Sequence, residues 1–258
     1  MVVVESIVVV AFAALILSPQ DPVEVAFQFA AQSVTACEPV TLRMSFHNSL
    51  AEGVRFVPAT LRDDYLDLSV TQPDQSAVTP PPSMHGGLLH VGAIDVPPGK
   101  TVMREILVNE FYPFRNPGQY KVRVRLNAPI RTDSGGSIES VWHDLTLHVA
   151  PRDPKRLETI CRDLAKAAAG YGNYEELREA ATTLSYIDDP VAVPYLGQVL
   201  GYDNFVSEIA VAGLVRIGSP EALKILKSKR DVGREELRIK VRQGIQEIET
   251  GVHPQILD

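Results

Sequence analysis

The side chains able to do chemistry are few in this sequence and lie far apart. His85-Gly86-Gly87 could turn backbone N–H groups towards an oxyanion, but that role needs a Gly-x-Ser-x-Gly nucleophile turn, which the chain lacks. Its place after Pro80-Pro81-Pro82 predicts a Pro/Gly loop instead. Asp63, Asp64 and Asp67, with Tyr65, offer oxygen donors of the kind calcium takes. Without EF-hand spacing they read as a solvated loop between strands. The six histidines (47, 85, 90, 143, 148 and 253) include no H-x-x-x-H pair on an expected helix. His143 and His148 share one expected strand at odd spacing and so face opposite sides, while His47 lies on the outer face of another. Cys37 and Cys161 give no zinc signature. They read either as two separate thiols or as one inter-domain disulfide made in an oxidising compartment. No catalytic, cofactor-binding or metal-binding residue is assigned, and no cofactor is expected.

Charge narrows the partners. The 258 residues carry a net charge of −7. Residues 1–150 hold 10 basic and 15 acidic side chains, a balance of −5; the remainder holds 15 and 17, a balance of −2. Neither half carries the strong positive excess that a nucleic-acid binder needs for phosphate neutralisation, so nucleic acid is not an expected partner. Between Lys224 and Arg242 the sequence runs locally to +5, eight basic residues against Asp231, Glu235 and Glu236. That run suits contact with an acidic protein or with anionic lipid headgroups. It equally suits a solvated capping helix laced by pairs such as Glu235–Arg238. Trp142, the sole tryptophan, points opposite to Leu145 and Leu147, which places it on the surface or at the junction of the two expected domains.

The elements that must position these residues fall into three segments: 1–22, 23–150 and 151–258. Ile7–Leu17 is an uncharged apolar run that ends at Ser18-Pro19. As a helix it reaches only about 16 Å, against roughly 30 Å of membrane hydrocarbon. That length suits a signal peptide. The absence of Lys or Arg before it, and Glu5 within residues 2–17, leave an N-terminal anchor as the other reading. The expectation is an exported protein, periplasmic or secreted, with membrane proximity through residues 2–17 left open and a mature start near residues 19–22.

From Val23 to Val149 the period is two. Val40, Leu42, Met44 and Phe46 alternate with Thr41, Arg43, Ser45 and His47; Tyr120, Val122, Val124 and Leu126 alternate with Lys121, Arg123 and Arg125. Further strands are expected at Val23–Phe29, Gly53–Val57, Leu66–Thr71, Leu88–Val91, Thr101–Val108 and Leu145–Val149. About eight short strands broken by Pro, Gly and Asn predict an antiparallel β-sandwich. Asn116-Pro117-Gly118-Gln119-Tyr120-Lys121-Val122 resembles the turn and start of strand F in immunoglobulin-like domains. By that resemblance Tyr120 is the tyrosine of a tyrosine corner, its hydroxyl bonded back to the turn backbone. Glu38-Pro39-Val40-Thr41-Leu42, running into Phe46-His47-Asn48, is similar to the second strand of many bacterial Ig-like modules. There is no Cys…Trp…Cys pattern, so the likeness concerns fold class over about half the chain and implies no antibody-type disulfide.

Past Pro151-Arg152-Asp153-Pro154 the composition turns to Ala, Leu, Glu, Lys and Arg. Asp153-Pro154 has the form of an N-cap followed by a first-turn proline. Helices are expected at about 155–169, 174–187, 190–200, 205–217, 220–228 and 234–249. Leu184, Ile187, Pro190, Ala192 and Leu196 recur 30 residues later as Leu214, Ile217, Pro220, Ala222 and Leu226. The repeated pattern, Leu-x-x-Ile followed by Asp188-Asp189-Pro190 or Gly218-Ser219-Pro220, resembles the HEAT repeat family, and in particular the short repeats first recognised in phycobilisome lyases. Asp189 and Ser219 are placed to cap the second helix of each repeat. The resemblance implies a short α-solenoid of two repeats with flanking cap helices. It further implies that the second helices line a concave face, where Tyr195, Gln198, Lys224 and Lys227 would meet a protein partner. A stack this short is expected to lean on the β-domain at its N-terminal end. The function expected is non-catalytic protein binding or scaffolding outside the cytoplasm, with the partner unidentified. The alternative is a metal-dependent or other hydrolase whose site the sequence does not display.

Overall fold

The computed structural model describes residues 22–57, 66–78, 93–126, 128–170, 173–202 and 205–251. The apolar N-terminal run, Asp63–Tyr65, the His85 loop, Leu88–Val91 and His253 lie outside the described residues. Alternating polarity gives strands β1 (Val23–Phe29), β3 (Thr41–Asn48), β5 (Leu66–Thr71), β8 (Thr101–Leu107), β9 (Gly118–Leu126) and β12 (His143–Ala150). Between them lie short strands: β2 (Ser33–Thr35), β4 (Val54–Phe56), β6 (Ala77–Val78), β7 (Ile94–Val96), β10 (Ile130–Thr132) and β11 (Ser137–Ile138). Of these only β4 was expected. Two or three residues are too few for a period to show.

Three sheets result, in the orders β1-β3-β8, β11-β10-β4-β7 and β2-β12-β9-β5-β6. The pairings are antiparallel except β2 on β12. The alternation is realised in burial. Leu42, Met44 and Phe46 of β3 are buried, whereas Thr41, Arg43, Ser45 and His47 are half-exposed. Inward side chains from all three sheets share one core. Phe46 meets Phe56 at 5.6 Å between ring centroids, and Phe27 meets His143 edge-on at 5.1 Å. Fully burying a Val, Leu or Phe side chain stabilises by about 1.5–3 kcal/mol. That shared core, more than their few ladder bonds, holds strands as short as β4 and β10.

After Pro151 the chain is helical: α1 (Pro154–Ala168), α2 (Tyr174–Ser185), α3 (Val193–Val199), α4 (Phe205–Ile217), α5 (Pro220–Ser228) and α6 (Glu235–Thr250). The caps are those the sequence offers. Asp153 accepts from the N–H groups of Lys155 and Arg156, Asp189 from Val191, and Ser219 from Ala222. One helix departs from expectation. The segment expected as 190–200 begins with a 3-10 turn at Pro190–Ala192, and the α-helix starts only at Val193. Pro194 has no N–H to give the Pro190 carbonyl, so Val193 bonds it in a tighter turn. α2 packs on α4 and α4 on α6; α1 packs on α3 and α3 on α5, with α1 also against α2. The helices thus lie in two rows over one core. Close packing needs small residues: a Cβ on Gly213 of α4 would lie 2.9 Å from Ser185 Cα at the end of α2. Among the described residues, no helix is long and apolar enough to cross a membrane.

Candidate functional site

The four side chains expected to meet a partner fall on adjacent helices of one row. Gln198 on α3 and Lys224 and Lys227 on α5 are exposed. Tyr195 is half-buried, packs on the helical core, and has its hydroxyl 3.5 Å from Glu158 of α1. Its ring therefore joins α3 to α1 more than it projects. Lys227 is tied to Glu249 of α6 at 2.7 Å, which leaves Lys224 and Gln198 as the freer pair. The basic run beyond them is compensated in part. Arg238 pairs with Glu235, and Arg242 reaches Asp231 at 3.2 Å and Glu235 at 4.0 Å.

Among the described residues no three His, Cys, Asp or Glu side chains are arranged to hold a metal. The shallow cleft beside β4 and β7 brings Glu52, Asp95 and Asp133 near one another, but each is already engaged. Glu52 accepts from the Ser134 backbone and hydroxyl at 2.6 and 2.9 Å, Asp95 pairs with Arg55 at 2.5 Å, and Asp133 accepts from the Gly53 N–H at 3.1 Å. His143 faces inward against Phe27 and His148 faces out, opposite sides as the odd spacing requires. His47 bonds Thr101 at 3.0 Å.

The densest polar arrangement is the junction of the two halves, and the sequence reading did not assemble it. Thr35, at the end of β2, donates its hydroxyl to the Pro151 carbonyl at 2.7 Å and accepts from the Asp153 N–H at 2.8 Å. Glu38, 8% exposed, binds Arg156 of α1 at 2.7 Å and also accepts from the Thr35 N–H at 2.8 Å. Asp189, 3% exposed, takes two bonds from Arg152, at 2.5 and 2.8 Å. Asp188 beside it takes Arg115 from the loop that precedes β9. The hydrogen bond from Arg152 holds the Asp189 carboxyl below its ordinary range despite its burial. Arg216 of α4, deep in the helical half, stacks on Tyr186 at 3.8 Å and donates to the Ser185 carbonyl. A signal for this junction was in the sequence. One repeat turn carries Asp188-Asp189 where its counterpart carries Gly218-Ser219, and a cap needs only one acceptor.

Both thiols border the junction and are free. Cys37 holds a left-handed backbone (φ 67°), and its N–H bonds the Phe114 carbonyl at 2.9 Å. Burial, then the charges of Asp189 and Asp188, pushes its pKa up to about 11. Cys161 on α1 is pushed to about 12, chiefly by burial. Neither is an activated nucleophile, because attack needs the thiolate.

Trp142 does not pack at the junction. It sits just ahead of β12, 39% exposed, with the guanidinium carbons of Arg123 and Arg125 at 5.1 and 4.7 Å from its ring centroid.

No known protein family matches the chain, and no curated protein matches it. Similar solved structures include the ApaA protein of Bordetella pertussis, at 16% identity and a TM-score of 0.30, covering 51% of this chain and 94% of that one. Spo0M, a sporulation control protein of Bacillus subtilis, shows 14% identity and a TM-score of 0.28 over 56% of each chain. BslA, a bacterial hydrophobin, shows 11% identity and a TM-score of 0.24 over 53% of this chain and 99% of that one. Likenesses of this size assign neither fold family nor function.

Proposed function

We propose that the chain is a non-catalytic binding or scaffolding protein working outside the cytoplasm, built as an Ig-like β-sandwich followed by a short HEAT-type solenoid. Three observations support the architecture. The Tyr120 hydroxyl bonds the Asn116 carbonyl at 2.9 Å, the bond a tyrosine corner makes. The three sheets share one core. The helices that carry the 30-residue recurrence pack in two rows, each turn capped by Asp189 or Ser219. The apolar run Ile7–Leu17 supports export.

The observation that carries the function is the junction. The buried carboxylate of Glu38 binds Arg156 and the part-buried one of Asp188 binds Arg115, while Arg152 of the linker binds buried Asp189, holding two surface-bearing halves in one orientation. Such a piece presents a composite surface to a partner and needs no cleft of its own. The partner is a protein of acidic character meeting the face with Gln198, Lys224 and Lys227, edged by Tyr195. Substituting Lys224→Glu together with Lys227→Glu, in capture from envelope extract at low and high salt, tests this. The expected outcome is loss of the partner from the variant and salt-sensitive capture by the wild type, with thermal stability little changed. Equal retention without a salt effect overturns the helical face as the site.

A further inference from the structure

We propose that the outer face of β9, with Trp142 at its rim, is a second binding surface, fitted to an extended acidic segment of a partner protein. The inference rests on the binding reading above and adds a place on the β half together with a ligand chemistry. Lys121, Arg123 and Arg125 point outward from β9, the middle strand of its sheet, flanked by β5 and β12. Side chains on one side of a strand repeat every 7 Å or so, and those of any extended peptide repeat likewise. A segment laid along β9 with a carboxylate at every second residue therefore matches the three cations in step.

The cations are available for this. Arg123 pairs with Asp144 at 3.0 Å and Arg125 with Asp67 at 2.6 Å, but these pairs are open to water, the arginine side chains being 55% and 42% exposed. Pairs of this kind stabilise by only about 0.2–1 kcal/mol. A guanidinium has five N–H donors, so a second carboxylate adds to the first without displacing it. Lys121 is exposed and has no ion-pair partner among the described residues. The face thus sums to +1, three cations against Asp67 and Asp144, in a chain of −7.

Trp142 supplies the apolar contact. It and Val141 beside it, 63% exposed, are two large hydrophobic side chains left on the surface at one end of the row. Trp and Arg are the residue types that dominate binding hot spots. The two guanidiniums already hold the indole, so little of its freedom remains to be lost on binding.

Because Trp142 is the sole tryptophan, its emission reports this site directly. The full chain is titrated with a short peptide alternating Glu and Thr and ending in Leu, and with its Gln-for-Glu counterpart. The expected result is an emission change with the Glu peptide alone, weakened about ten-fold by Lys121→Glu or by about 0.5 M NaCl. Lys224→Glu with Lys227→Glu leaves it unchanged, which separates this surface from the helical face. Absence of a change with the Glu peptide, an equal change with the Gln peptide, or a change produced instead by polygalacturonate or oligo(dT) overturns the proposal.

Discussion

Tyr120 is fully buried, yet its hydroxyl is satisfied by the Asn116 carbonyl, so one side chain both fills the β core and pins the turn that leads into β9. Tyr120→Phe keeps the ring and removes the bond. The expected loss is about 1 kcal/mol, read as a lowered melting temperature with the far-ultraviolet dichroism of the fold retained. An unchanged melting temperature would show the bond to be idle. The thiols make a second prediction. With pKa values near 11 and 12, the thiolate fractions of Cys37 and Cys161 at pH 8 are on the order of a thousandth and a ten-thousandth. A thiol reagent at pH 8 should react slowly with the folded chain and rapidly with both residues in denaturant. The linkage runs the same way: a thiol whose folded pKa is raised stabilises below its unfolded value of about 9 and loses that contribution as pH rises towards the folded value.

At the scale of the element, the two repeat turns are near-copies with different loads. Ser219 caps α5 through the Ala222 N–H at 3.1 Å. Ser219→Ala should cost about 1 kcal/mol. Asp189 caps the Val191 N–H and also holds Arg152, so Asp189→Ala should cost more, about 2 kcal/mol, since a buried acceptor and an ion pair go together. Chemical denaturation of the two variants gives the comparison; equal losses would mean that the Arg152 pair adds nothing. The outline of these elements was legible in the sequence because periodicity and caps are local. Period two placed β3, β9 and β12, and Asp153-Pro154 and Ser219-Pro220 marked helix starts within a residue or two, while Asp189-Pro190 marked the 3-10 turn ahead of α3. The strands of two or three residues, β4 excepted, were not legible, because partners distant in sequence create them. Ile130 pairs with Phe56, for example, across more than seventy positions. The delayed start of α3 was readable from Pro194 once the missing N–H is counted. The candidate surfaces were read unevenly. Lys224 and Gln198 could be placed by helical phase alone, and the alignment of Tyr195 with Ile225 one repeat later pointed to burial between repeats, though not to Glu158 of α1 as its neighbour.

At the scale of the whole molecule, the question is whether the halves move together. The polar bonds at the joint are Arg156 on Glu38, Arg115 on Asp188 and the two bonds of Thr35, with Arg152 of the linker on Asp189. The carboxylates of Asp189 and Glu38 are buried while Arg152 and Arg156 stay about half exposed, so removing these arginines strands buried acceptors and removing the acids strands only solvated cations. Arg152→Gln with Arg156→Gln should therefore uncouple the halves without unfolding either, because neither side chain belongs to a hydrophobic core. Calorimetry should show one transition for the wild type and two for the variant, and limited proteolysis should newly cut the variant between residues 150 and 154. Acid should act in the same direction. The Asp189 carboxyl sits below its ordinary value, so its stabilisation is present above the usual carboxylate range and is lost as pH falls through the folded value. Acid strong enough to pass below the usual carboxylate range should then bring the wild type towards the variant's proteolytic pattern. A variant that still melts in one step and resists cleavage would place the coupling in the remaining contacts of Thr35 and Arg115, and would remove the reason for treating the two halves as one binding piece.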